Sequence, residues 1–258
     1  MNYDCLGQSS CEGGSQCFQD DHICPSRSVC ICSPCFYGTR CQFSVNGFGL
    51  SLDGILGYHI QAHIDLFNQP SIVLFSLSVV IVSMIVGLIN GILSLITFQN
   101  RQVCEVGCGF YLLGSSITTL LTTVMFGLKF WILVLAQMTV ISNRLFLQIQ
   151  CISFDFLLRV CLNMDQWLNA CVAIESTITL LKDLNFNKEK SKRNAKIVII
   201  ILSICIVSTN IYDSFHRHLI DEENEDGKRT WCIATYPSRL QTYNSFIHTF
   251  HFFAPFMN

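Results

Sequence analysis

Charge is scarce in this sequence. Asp, Glu, Lys and Arg make up only 13% of the 258 residues, against 51% hydrophobic. An ordinary soluble domain carries about 25% charge, so the lipid bilayer is the expected solvent. A net charge of -2 also denies the chain the basic face that a nucleic-acid partner requires. No hydrolase serine motif, phosphate-cradling glycine loop, paired zinc ligands or dinucleotide fingerprint is present. Neither enzymatic activity nor a cofactor or metal is therefore expected. There is no Asn-x-Ser/Thr acceptor. The residues from Met1 to Cys5 lack a basic n-region and an apolar h-region, so no cleavable signal peptide is expected. Unless the true start lies upstream, a later span must translocate the N-terminus.

Cysteine, by contrast, is abundant and uneven. Of 15 cysteines, eight fall between Cys5 and Cys41. Residues 1–46 are polar and turn-rich, with almost no aliphatic run, so cross-links must supply what burial does not. That implies an oxidising compartment. Half of a zinc site, Cys32-x-x-Cys35, is the competing reading, but its partner pair is missing. Residues 47–69 form a linker with Gly47, Gly49, Gly54 and Gly57, ending at Pro70.

From residue 70 onward the pattern predicts helices at about 71–98, 106–138, 149–181, 194–213 and 243–258. The first holds no charge, and the first three exceed the roughly 20 residues that a span needs. The fifth is still apolar at Asn258, about 24 Å into a span of about 30 Å, which reads as a chain cut within its fifth helix. Between the third and fourth spans lie Lys182, Lys188, Lys190, Lys192, Arg193 and Lys196, against Asp183 and Glu189. Positive loops stay in the cytosol. The next loop carries Asp213, Asp221, Glu222, Glu223, Glu225 and Asp226, and alternation places it outside together with the cysteine-rich head. The expected location is the cell membrane, multi-pass, with an extracellular N-terminus.

Two resemblances refine this outline. The run Cys30-Ile31-Cys32-Ser33-Pro34-Cys35-Phe36-Tyr37-Gly38-Thr39-Arg40-Cys41 resembles the closing signature of an EGF-like module. Carried over, that family's pattern implies Cys5 with Cys17, Cys11 with Cys30 and Cys32 with Cys41, leaving Cys24 to pair with Cys35. Acidic residues before the first cysteine are limited to Asp4, so bound calcium is not expected. Further along, Cys151, then Glu175-Ser176-Thr177 about 25 residues on, then the basic loop, resemble the third helix of a rhodopsin-like G protein-coupled receptor. The resemblance implies a Cys151–Cys232 disulfide and places Glu175, Ser176 and Thr177 at the family's switch position. Asn90 is similar to the family's first-helix asparagine, and Phe252 to Phe256 resemble its fifth-helix proline motif.

The departures are equally specific. Ser176 stands where the family has arginine, the second span lacks the family's aspartate, and the fourth lacks its tryptophan. The implied fold class is a small disulfide-rich, EGF-like extracellular module plus an all-α multi-pass transmembrane bundle, a partial seven-helix receptor. The implied function is binding of an extracellular ligand, with a G protein as possible partner at Lys182 to Lys196, in an incomplete or non-signalling copy. A membrane-anchored adhesion or decoy protein is the alternative.

Charges inside spans are costly alone, so partners are expected. Asp155 and Arg159 stand four apart on one helical face and are expected to satisfy each other, with Lys129 in reach of Asp155. The trio reads either as a polar ligand pocket or as a self-satisfied charge cluster. Asp165, with Asn90 as a second polar core candidate, reads either as the holder of a cation or as a protonated or hydrogen-bonded acid. His248 and His251 share a face and read as a metal pair or as helix-terminal polar residues. Trp131 and Trp231 are expected at the membrane interface and Trp167 in packing.

Overall fold

The computed structural model of the chain describes residues 11, 14–19, 28–34, 36–37, 41, 43–44, 57–61, 64–99, 106–182, 187–224, 227–234 and 236–256. The N-terminal region is built on cross-links. Strands Gln16–Gln19 (β1) and Ser28–Ile31 (β2) pair antiparallel, with Cys17 opposite Cys30. Phe36–Tyr37 (β3) pairs with Phe43–Ser44 (β4). Cys11 is bonded to Cys30 and Cys32 to Cys41, two of the pairs named above. Cys17 is also in a disulfide; Cys5, Cys24 and Cys35 lie outside the described residues. Among those that are described here, the buried side chains are Cys17 and Cys41, while Val29 and Ile31 are exposed. Covalent bonds thus stand where a larger domain has an apolar core.

Four helices follow that are long and apolar enough to cross a membrane: Ser71–Phe98 (α1), Gly107–Gln137 (α2), Arg144–Lys182 (α3) and Lys188–Phe215 (α4). Their connections are short, so consecutive helices run antiparallel and pack as neighbours. Along α1, Phe75, Val79, Val82, Ile85, Ile89, Ile92, Leu93 and Ile96 are all exposed. Such a continuous apolar face is incompatible with water and fits hydrocarbon. The chain is a mostly helical membrane protein with a disulfide-rich N-terminal region.

The starts of the last three helices differ from the sequence reading. α3 begins at Arg144, five residues earlier than expected, because Asn143 accepts the backbone N–H of Phe146 at 3.2 Å and starts the helix before the apolar run. α4 begins at Lys188, capped by Asn187, whose side chain accepts the Lys190 N–H at 3.0 Å. After α4 the chain turns into a hairpin of Arg217–Asn224 (β5) and Gly227–Ala234 (β6), so the bundle is not all-α. The last helix, Ser238–Phe253 (α5), packs on α3 and ends in a 3-10 turn, Ala254–Phe256.

Close approach of α1 to α2 rests on small residues. A Cβ at Gly87 would lie 2.8 Å from Thr123, and one at Gly91 would lie 2.8 Å from Leu120 Cδ1 and 3.3 Å from its Cβ. Gly87 and Gly91 are four residues apart, so both fall on the face turned to α2, the small-xxx-small arrangement of membrane helix pairs. Beside it, Val73, Val80, Phe130, Val134 and Ile60 form one buried cluster. Gly91→Leu is expected to lower stability by about 1–3 kcal/mol through overpacking, read as a drop in the thermal midpoint in detergent. Ile92→Leu, on an exposed position, leaves the midpoint in place.

Candidate functional site

α3 carries the polar interior of the molecule. At nearly every turn it presents a polar side chain to a different neighbour, the arrangement that lets buried polar groups survive in hydrocarbon. At the end of the bundle that bears the hairpin, Cys151 is bonded to Cys232 of β6. One turn on, Asp155 takes Lys129 of α2 on Oδ1 and Arg217 of β5 on Oδ2. Arg217 also donates through Nε to Asp213 of α4 at 2.7 Å. A further turn on, Arg159 sits 3.2 Å from Asp213 Oδ1 and 2.6 Å from His248 Nε2 of α5. Because a guanidinium only donates, His248 accepts there and carries its proton on Nδ1.

The charges therefore alternate, Lys129, Asp155, Arg217, Asp213, Arg159, and link three helices to the hairpin, with α5 joined through His248. Asp213 is 1% exposed, and the side chains of Arg217 and Asp155 are 9% and 11% exposed. Sequence reasoning paired Asp155 with Arg159; the structure corrects this. The two side chains take different partners: Asp155 faces α2 and the hairpin, while Arg159 turns to Asp213 and α5. Neither Asp213 nor Arg217 had been singled out as a partner in the site. The signal available was Asp213-x-x-x-Arg217, an i, i+4 pair at the end of a span.

Lys129 and Asp155 border a cavity of about 30 Å³ together with Gln137, Gln150, Leu219 and Trp231. Arg159 is not part of its lining, so the three expected pocket residues do not form one open chamber. Gln137 is 2% exposed; its Nε2 donates to Thr230 O at 3.1 Å, while Oε1 has no protein partner. A larger recess of about 300 Å³ lies beside it, between the α2–α3 connection and the hairpin. Arg144 and Asp221 bridge its rim at 3.3 Å. Trp231, expected at the interface, is 1% exposed and packs against Gly57, where a Cβ would come within 2.5 Å of its ring.

Deeper along α3, Asp165 collects hydroxyls from α2: Ser115 donates to Oδ1, as does Thr119 at 3.1 Å, and Thr118 lies at 3.5 Å. The acid is hydrogen-bonded, as one of its two readings held. Asn90 does not join it, being exposed on α1. Trp167 donates to His251 Nδ1 at 3.0 Å, which leaves Nε2–H to donate to Thr209 at 3.0 Å. His248 and His251 thus bond different partners. Among the described residues no group of three His, Cys, Asp or Glu side chains converges on a metal position.

At the opposite, basic end of the bundle, Glu175 accepts the hydroxyl of Ser191 from α4, and Ser191 Oγ in turn accepts the Gly107 N–H at 2.9 Å. Ser176 donates to Val172 O at 2.7 Å and Thr177 to Ala173 O at 2.9 Å, both within α3. Glu175 therefore has a hydroxyl partner on another helix, and Ser176 meets Cys108 of α2 at 3.9 Å. No protein family and no curated protein matches this chain.

Proposed function

We propose that this chain is a receptor-like membrane protein of the rhodopsin type, with an EGF-like extracellular head and a ligand-facing surface at the hairpin end. The observation that carries the reading is the Cys151–Cys232 disulfide, which staples the β5–β6 hairpin over the start of α3 and the charge lattice beneath it. The order of the apolar helices and the placement of polar side chains along α3 support the same reading. The fine fold is then a partial seven-helix bundle, and the partner of the basic end is a G protein.

A second, non-signalling reading draws on the basic end itself. There Glu175, beside the switch position, is bonded to Ser191, and the Ser176 hydroxyl donates to the Val172 carbonyl within its own helix. The chain then works as a membrane-anchored adhesion or decoy protein through its head.

Surface labelling in intact cells tests the first reading. A tag at the N-terminus is expected to be reached by an impermeant antibody without permeabilisation, and a tag in the 183–187 segment only after it. The reverse pattern would overturn the receptor reading. Recruitment of an engineered G protein then separates the two functions: Ser176→Arg is expected to raise recruitment several-fold over the native chain. No recruitment by either protein leaves the adhesion reading in place.

A further inference from the structure

The first two turns of α4 are strongly basic. Lys188, Lys190, Arg193 and Lys196 are all exposed, whereas Lys192 is partly covered and bound to Glu189 at 3.4 Å. Five cations thus share a short helical stretch whose one carboxylate, Glu189, is bound to Lys192, and Lys188 has an interaction of its own.

The length of the helix sets the depth of this stretch. α4 has 28 residues, about 42 Å at 1.5 Å per residue, against a hydrocarbon core of about 30 Å. The surplus of about 12 Å corresponds to about eight residues. Because the unbroken apolar run starts at Ile197, that surplus falls on the basic turns. They therefore lie at the level of lipid headgroups, not beyond them in open solvent.

One cation is also held in place. Lys196 Nζ lies 5.0 Å from the centre of the Phe110 ring of α2. This cation–π contact fixes the ammonium in the cleft between the first turn of α2 and the third turn of α4. Both helices begin at this end, so the partial positive charges of their N-termini add to the side-chain charges.

We infer that the basic turns of α4 bind anionic membrane lipid, with a phosphate-bearing headgroup seated between Lys196 at the α2 cleft and the exposed Lys188, Lys190 and Arg193. A lipid is the occupant that this depth selects, because its phosphate reaches the bases while its acyl chains lie along the apolar remainder of α4. A protein partner must instead come to the charges from outside the headgroup layer.

The purified full chain in neutral detergent, titrated with a fluorescent phosphatidylinositol bisphosphate and with fluorescent phosphatidylcholine, tests this. The bisphosphate lipid is expected to bind at least tenfold more tightly, and binding weakens as salt is raised. Each basic residue removed is expected to cost about fivefold, so Lys188→Gln, Lys190→Gln, Arg193→Gln and Lys196→Gln together cost on the order of 100-fold or more. Changing the three lysines to arginine keeps the affinity, and Glu189→Gln raises it.

Peptide mapping of the Cys151–Cys232 disulfide checks that each variant is folded. Equal binding of the two lipids by the native chain would overturn the inference. So would unchanged affinity in the glutamine variant, including the case in which that variant loses G protein recruitment alone.

Discussion

Arg217→Met is expected to destabilise the folded chain by about 3–5 kcal/mol, the cost of leaving buried carboxylates short of a partner. Arg217 is the shared cation of the lattice. It holds Asp155 on α3 and Asp213 on α4 at once, with 9% of its side chain exposed. Methionine preserves much of the volume and none of the charge, so both acids face a low-dielectric interior with one cation each. The thermal midpoint of the detergent-solubilised protein is the measurement. A contrast is built into the molecule: the Arg144–Asp221 pair at the rim has Arg144 68% exposed, and Arg144→Met is expected to change stability by about 1 kcal/mol or less. Asp213→Asn placed on the Arg217→Met background is not expected to recover the loss, because it strips Arg159 of its carboxylate. Equal midpoints for Arg217→Met and Arg144→Met would show that the lattice contributes nothing to stability.

Loss of the disulfide between α3 and the hairpin is expected to be comparably costly. Cys151 and Cys232 are 81 residues apart in sequence, and replacing both with serine is expected to lower stability by about 2–5 kcal/mol. The effect reaches beyond chain entropy. Cys232 lies opposite Leu219 in the hairpin register, two residues from Arg217, and its sulfur is 3.7 Å from Asp155. Freeing β6 therefore loosens the residue that positions the central cation. Cys205→Ala, at an exposed free thiol, serves as control and is expected to be neutral. A double serine variant with an unchanged midpoint would remove the staple from any account of the fold.

Sequence periodicity made the membrane-spanning helices legible because their signal is long and redundant. The 28 residues of α1 contain no charge, and no turn chemistry competes with them. The hairpin was not legible in the same way. Its acidic residues, Asp221 to Asp226, advertised a loop, and the alternation that buries Trp231 and Ile233 spans only a few residues. An Asp226-Gly227 dipeptide was the local hint of a strand reversal.

The charge lattice was legible in part. Lys129 was placed within reach of Asp155 because both sit toward the same outer side of the bundle. Arg159 was misassigned because i, i+4 spacing on one helix says only which side chains are able to meet. Which of them do meet was decided by Arg217 and Asp213, whose positions follow from where α4 stops and β5 begins. Asp165 was visible as an anomaly, an acid within a span, but its hydroxyl partners Ser115, Thr118 and Thr119 belong to the unremarkable polar fraction of α2.

The bond from the Gly107 N–H to Ser191 has a bearing on how the chain is made. An N-terminal turn of α2 that lacks a side-chain cap of its own takes its acceptor from a helix synthesised 84 residues later. Until α4 has entered the bilayer and Glu175 has oriented the serine, that turn holds unsatisfied donors at the membrane boundary, where unpaired backbone groups are costly. The first turn of the second span thus gains this side-chain acceptor only when the fourth has packed against it.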